Sequence, residues 1–145
     1  MVIKEEQRDL FTLPEDWFLA HCNGQDYVMG KGIAKIFNKK YDLKNRLKKQ
    51  YPVTKAVTDP YIGAALLIDN VFTLITKRKW SDKPTYAALR ECIEDMCARC
   101  RKQGITKLAM PKIGCGLDGL DWDQVRAMIE EVFADTGIEI LVCYL

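Results

Sequence analysis

The chain has 145 residues, 48% of them hydrophobic and 29% charged. That is the composition of one globular domain with a core that needs no staples, and it excludes disordered and fibrous classes. A net charge of +2 is too small for a global claim of nucleic-acid binding, no apolar run approaches a membrane span, and Lys4-Glu5-Glu6 stands where a signal peptide would need its apolar core. The expectation is a single domain over 1–145, intracellular and cytoplasmic, monomeric and without a membrane partner.

A short strand begins at Met1 and runs to Lys4, and Arg8-Asp9-Leu10-Phe11 leads to a turn closed by Pro14-Glu15-Asp16. Residues 17–22, Trp-Phe-Leu-Ala-His-Cys, form a continuous apolar run, the pattern of a parallel strand buried on both faces. His21 is the only histidine. At the end of a buried strand it reads first as a hydrogen-bonded core residue. Residues 23–32 make a polar loop with three glycines that opens a helix over 33–40. From Lys35 to Lys49 seven basic residues stand against one acid, Asp42, with Tyr41, Leu43 and Leu47 interleaved. This segment is a solvated helical face or a basic patch that steers a polyanion.

Strand signals resume at 55–58 and at 64–76, the latter with a hairpin turn at Asp69-Asn70. A charged loop follows, in which Lys83 precedes Pro84, and the proline suits the first turn of a helix over 85–103. Leu89, Ile93, Met96, Cys97 and Cys100 form the buried stripe of that helix, and Gly104 its stop. Residues 107–110 read as a buried strand. The loop after it opens an amphipathic helix, with Asp121 as N-cap, Gln124 in the reciprocal position, and Trp122, Val125, Ile129, Val132 and Phe133 at helical spacing. A last apolar strand covers 138–145. The alternation of strands and helices predicts an α/β fold with a mixed, mostly parallel sheet covered on both faces.

Six cysteines stand at 22, 92, 97, 100, 115 and 143. Cys97-Ala-Arg-Cys100 is a lone CxxC near a helix end, with one histidine in the whole chain, so neither a zinc site nor a redox pair is expected. The cysteines read as small core residues.

The stretch Met110-Pro-Lys-Ile-Gly-Cys-Gly-Leu-Asp118 carries the chemistry. Gly114, Gly116 and Gly119 let a strand-to-helix loop take positive φ and turn unpaired amides and a positive helix end towards phosphate oxygens. Gly114-x-Gly116-x-x-Gly119 also matches the dinucleotide fingerprint. That motif opens a βαβ unit with several strands to follow, whereas here one helix and one strand remain. A turn needed only for packing is the third reading. The loop at 23–32 also runs from a buried strand into a helix, so both loops fall at carboxyl ends of parallel strands and share one cleft.

With those loops placed, the sequence resembles a macro domain, most closely the terminal ADP-ribose protein glycohydrolase branch. The residues that carry the match are Asp9-Leu-Phe, Ala20-His-Cys22, Met29-Gly-Lys-Gly-Ile-Ala34, Ile75-Thr-Lys77, Lys83-Pro-Thr-Tyr86, the 110–118 stretch, and Met128-Ile-Glu-Glu-Val-Phe133. The resemblance implies a three-layer α/β/α fold that binds ADP-ribose, with no cofactor and no metal. It implies that Asp9 meets the adenine amino group, with Leu10 beside it. Ligand contacts are implied from His21, Gly30, Gly32 and Ile33 on one side of the cleft, and from Ile113, Gly114, Cys115, Gly116 and Leu117 on the other. Lys83 and Asp118 match the catalytic pair. The sequence departs from the pattern at Arg8, where a glycine is common, at Gly24, where a close relative has serine, and at Gly119, where arginine is found.

A lysine suits the reaction so implied. An ADP-ribosyl ester places a good carboxylate leaving group on an anomeric carbon, which an amine nucleophile displaces. Asp118 then moves protons as the adduct is hydrolysed. The leading expectation is removal of mono-ADP-ribose from acidic protein side chains, so the partners are ADP-ribose and mono-ADP-ribosylated protein. The alternatives are ADP-ribosylated nucleobases, as for DarG-type macro domains, a phosphatase acting on ADP-ribose 1″-phosphate, and a reader without turnover.

Overall fold

A computed structural model describes residues 2–53 and 60–145. The strands are β1 (Val2–Gln7), β2 (Phe18–Gly24), β3 (Ala65–Ile68), β4 (Val71–Lys77), β5 (Lys107–Met110) and β6 (Glu139–Tyr144). The helices are α1 (Gly32–Tyr41), α2 (Leu43–Gln50), α3 (Tyr86–Gln103) and α4 (Trp122–Val132), with a short 3-10 turn at Leu10–Thr12. Strand signals at 55–58 lie outside the described residues.

The strands form one sheet in the order β1-β6-β5-β2-β4-β3. Every neighbouring pair is parallel except β3 with β4, whose hairpin turns at Asp69-Asn70 with Asp69 at φ 51°. β2 lies in the middle of the sheet, which explains its unbroken apolar run. On one face Ala20, Phe72 and Leu74 pack against Leu89, Ile93 and Met96 of α3 and Val125 and Ile129 of α4. On the other, Leu19, Val71, Ile75 and Leu141 meet Phe37 of α1 and Leu43 and Leu47 of α2. The result is three layers, α/β/α. Cys92, Cys97, Cys100 and Cys143 are buried in this core, as their positions in apolar stripes predict.

Four local expectations need correction. β1 continues three residues past Lys4, because the main chain of Val2–Gln7 is paired along its length by β6. The basic segment is two helices, broken where Asp42 adopts left-handed backbone at φ 50°. Asn38 Oδ1 accepts the Lys44 N–H at 2.8 Å and so closes the start of α2. Pro84 sits before α3 and not in its first turn: Thr85 is the N-cap, its side chain accepting from the Ala88 N–H at 3.1 Å. Asp121 occupies the N-cap position of α4 in extended backbone but makes no side-chain cap bond, so the reciprocal box with Gln124 does not form. Gly104 ends α3 at φ 69°, as its position predicts.

Candidate functional site

Parallel strands deliver their following loops to one edge of the sheet. Residues 8–13 after β1, 25–31 after β2, 78–85 after β4 and 111–121 after β5 all gather there. From β2 the chain moves to one side, to β4 and β3, and from β5 it moves to the other, to β6. The gap between β2 and β5 is therefore the switch point at which open α/β sheets hold ligands.

The loop after β5 is tightly wound. Cys115 N–H donates to the Lys112 carbonyl at 3.2 Å, Gly119 N–H to Gly116 at 3.1 Å, and Leu120 N–H to Gly114 at 2.9 Å. Gly114 is required twice over: its φ is 73°, and a Cβ there would stand 3.1 Å from Leu120 Cδ1 and 3.3 Å from Leu89 Cδ2. Gly116 and Leu117 are exposed, Cys115 is half-buried and Ile113 is buried beneath them. Across the gap, the loop after β2 crosses over the loop after β4. Asp26 accepts the Val28 N–H at 3.2 Å with one carboxylate oxygen and the Trp80 N–H at 2.8 Å with the other. Gly30 and Gly32 have open space where a Cβ would be, and Ile33 is half-buried beside them.

Asp118 finds its partner in Lys77, the last residue of β4. Lys77 Nζ donates to Asp118 Oδ1 at 2.7 Å and to the Trp80 carbonyl at 3.1 Å. The two side chains are only 10% and 19% exposed, so the pair is largely withdrawn from water. Lys83, the lysine expected in this pair, donates instead to the Leu117 carbonyl at 2.7 Å and stands on the exposed rim. Asp118 thus pairs with Lys77 in this structure, while Lys83 is bonded to the carbonyl of the residue just before Asp118. The sequence held the signal, since Ile75-Thr-Lys77 is among the motifs of the resemblance, but a lysine that ends a strand looks like any other.

Asp9 lies at the same edge, after β1. It caps the 3-10 turn through Oδ1, which accepts the Phe11 N–H at 3.0 Å, and Leu10 is buried behind it. His21 stands apart from the other expected contacts. Its ring is fully buried, bonded through Nε2 to Thr73 Oγ1 at 2.9 Å and stacked on Phe37 with centroids 4.5 Å apart. Burial lowers its pKa from 6.5 to about 3. It pins α1 to the sheet and has no exposed side-chain surface to offer a ligand.

No cysteine is primed as a nucleophile. Burial pushes the Cys115 thiol up to about 11, with the Asp121 charge adding to the effect. Burial raises Cys22 well above the ordinary thiol value, and Cys92, Asp118 and Cys115 reinforce it. A groove of about 680 Å³ lies elsewhere, along β1 and β6 and lined by Lys4, Glu6, Arg8, Leu13, Trp17 and Leu141 among others. Charges of both signs line it and no glycine loop opens onto it, so the switch-point crevice carries the functional reading.

The macro domain family model matches residues 21–129. This chain belongs to the macro domain family. Its macro domain is 45% identical over 138 residues to the human ADP-ribose glycohydrolase OARD1, covering 92% of this chain and 86% of that protein. It is 26% identical over 126 residues to a DNA ADP-ribosyl glycohydrolase of Thermus aquaticus, covering 79% of this chain and 34% of that one. Among solved structures, the macrodomain of Mycobacterium tuberculosis DarG superposes with a TM-score of 0.82 at 23% identity, over 99% of this chain and 98% of that one. That likeness fixes the three-layer macro fold.

Proposed function

We propose that this macro domain is an ADP-ribosyl glycohydrolase that removes mono-ADP-ribose from acidic protein side chains. The observation that carries the reading is the Lys77–Asp118 pair, withdrawn from water at the switch point between two glycine loops. The name of the human relative, an ADP-ribose glycohydrolase, supports the reaction class.

The diphosphate lies along amides of the 111–121 loop and the start of α1, where Gly30, Gly32 and Gly116 leave the backbone open to it. Asp9 receives the adenine end. Lys77 Nζ attacks the anomeric carbon: a C–N bond forms, the ester C–O bond breaks, and the acid side chain leaves as a carboxylate with the bonding pair. Attack needs a neutral amine, and Asp118, 2.7 Å away, accepts the proton that Nζ loses. Water then displaces the lysine, Asp118 carries the proton back, and free ADP-ribose leaves. Lys83 anchors the loop through Leu117 and so positions Asp118.

The test compares two lysines. With an ADP-ribosylated glutamate substrate, Lys77→Ala should lose release of ADP-ribose by two or more orders of magnitude while keeping affinity for free ADP-ribose, and Lys83→Ala should lose far less. If the glycosylamine opens to an imine of the ring-opened ribose, reductant added during turnover should reduce that C=N bond and leave ADP-ribose on the Lys77 peptide, read as a mass increase. If Lys83→Ala is the dead variant and the Lys83 peptide of the unsubstituted protein carries the adduct, the roles are exchanged.

A second reading is hydrolysis of ADP-ribosylated nucleobases. The name of the Thermus aquaticus relative favours it, as does the row of exposed lysines on α1 and α2. Parallel incubations with ADP-ribosylated protein, ADP-ribosylated DNA and ADP-ribose 1″-phosphate separate these substrates. Affinity without turnover on any of them would make the protein a reader.

A further inference from the structure

Beside the Lys77–Asp118 pair stands a side chain that the proposed reaction does not use. Trp80 is 56% exposed, on the loop that follows β4. Its N–H is held by Asp26 Oδ2 at 2.8 Å, and its carbonyl by Lys77 Nζ at 3.1 Å. One residue thus contacts Lys77 through its backbone and presents an indole to solvent. Such a ring costs solubility and contributes nothing visible to the core, since the ring meets another exposed side chain, Lys31, whose Nζ lies 5.8 Å from the centroid.

Lys31 is the N-cap of α1, and Lys35 and Lys39 follow at steps of four. A step of four places Lys35 and Lys39 on one face of the helix, about 6 Å apart along its axis, and Lys31 precedes them in extended backbone. All three are exposed, and none pairs with a carboxylate among the described residues. α1 has no acidic residue at all. The row therefore leads away from the indole with its charge unspent.

We infer that Trp80 with Lys31, Lys35 and Lys39 forms a subsite for a single-stranded nucleic acid next to the catalytic crevice. A base stacks on Trp80, and the phosphates that follow lie along the lysines of α1. The inference rests on the second reading, hydrolysis of ADP-ribosylated nucleobases, only in naming the strand as the acceptor side of a substrate; the binding itself stands alone. An acidic peptide would satisfy the lysines but leaves the indole without a purpose. A single strand supplies both a flat π surface and a regular run of anions. Lys31 covers the ring in the free protein and moves to a phosphate when a base takes its place.

The experiment measures binding of an unmodified single-stranded oligodeoxynucleotide by fluorescence anisotropy, without ADP-ribose, over a salt series. Three phosphate contacts give log Kd against log salt a slope of magnitude about 2, from about 0.7 per contact for single strands. Trp80→Ala should weaken binding roughly ten-fold, the size of one base–aromatic stack, and leave the slope unchanged. Trp80→Phe should recover most of the loss, and the melting curves of both should match the wild type. The double variant Lys35→Gln/Lys39→Gln should lower the slope by about 1.4, two contacts' worth. Binding that ignores Trp80→Ala overturns the subsite, as does a flat salt response. So does a polyglutamate peptide that displaces the strand from wild type and from Trp80→Ala alike. If the strand binds as described while no ADP-ribosyl substrate is turned over, the glycohydrolase reading falls and the subsite stands. Hydrolysis without Trp80-dependent strand binding overturns the subsite and leaves the glycohydrolase standing.

Discussion

Acid should loosen this fold through one side chain, and the size of the effect follows from burial. His21 is the only histidine, fully buried, stacked on Phe37, with Nε2 on Thr73 and no partner for Nδ1 among the described residues. The folded ring has its pKa lowered to about 3, against 6.5 for the free side chain. Between those values the unfolded chain binds a proton that the folded chain refuses, so unfolding gains free energy as pH falls. His21 costs no stability above about pH 6.5, and an increasing amount is lost below it. From pH 7.5 to pH 5 the loss is RT ln(1 + 10^1.5), about 2 kcal/mol. Over that range carboxylates held low by partners, such as Asp69 beside Arg46 or Glu131 beside Arg90, contribute little, because their unfolded values lie below pH 5. Urea unfolding at the two pH values should show the drop, and a foldable His21→Gln variant should lose most of it. Stability that stays flat from pH 7.5 to 5 would refute the reasoning, as would a ring that titrates near 6.5 by NMR.

Two further outcomes follow from the loops. Asp9→Asn keeps an oxygen to cap the Phe11 N–H but replaces the second acceptor by an amide donor, so affinity for ADP-ribose should fall roughly ten-fold or more, the scale of a charged hydrogen bond; unchanged calorimetric affinity would remove Asp9 from the adenine site. Gly114→Ala and Gly119→Ala both place a Cβ at positive φ, 73° and 77°, which costs about 1–2 kcal/mol. Only Gly114 also meets Leu120 and Leu89 within 3.4 Å, so it should lose about 1 kcal/mol more in denaturant unfolding, and equal losses would show that the leucines give way freely.

The sequence is most legible where periodicity and punctuation agree. The central strand was readable because a parallel strand with neighbours on both sides needs apolar residues at every position. α3 was readable because its stripe ends at a glycine that can take left-handed backbone. The glycine loops located the crevice, because their strands are parallel and so end on one edge. Three things were not legible. Strand order is one, since β6 enters between β1 and β5 and nothing local to 138–145 says so. The break at Asp42 is another, because it depends on Asn38 reaching forward to Lys44. The third is which lysine turns to Asp118. Lys83 and Lys77 are both charged residues beside a loop, and the choice depends on how residues 78–82 are folded by groups far away in the chain.

Those groups act together. Asn23 pairs with Ile75 and Gly24 with Lys77, so β4 carries one residue more than β2 at this point. An irregularity of this kind bends the strand and re-aims the side chain that follows it, and the side chain that follows is Lys77. The loops continue the pairing, with Gln25 N–H on the Lys77 carbonyl at 2.9 Å and Asp26 N–H on Arg78 at 3.2 Å. They approach so closely that a Cβ on Gly24 would stand 3.1 Å from the Lys79 carbonyl carbon and 3.2 Å from the Trp80 nitrogen. Asp26 then fixes Trp80 by its N–H, and Trp80 gives Lys77 a second acceptor beside Asp118. Two acceptors hold a flexible four-carbon side chain in one direction, where a single exposed ion pair would let it wander. The aim of Lys77 is thus set by a bulge, a missing Cβ and a carboxylate, none of which lies within the motif that contains the lysine. For the same reason a serine at 24 must push the Trp80 backbone outward by a few tenths of an ångström, and with it the carbonyl that steadies Lys77.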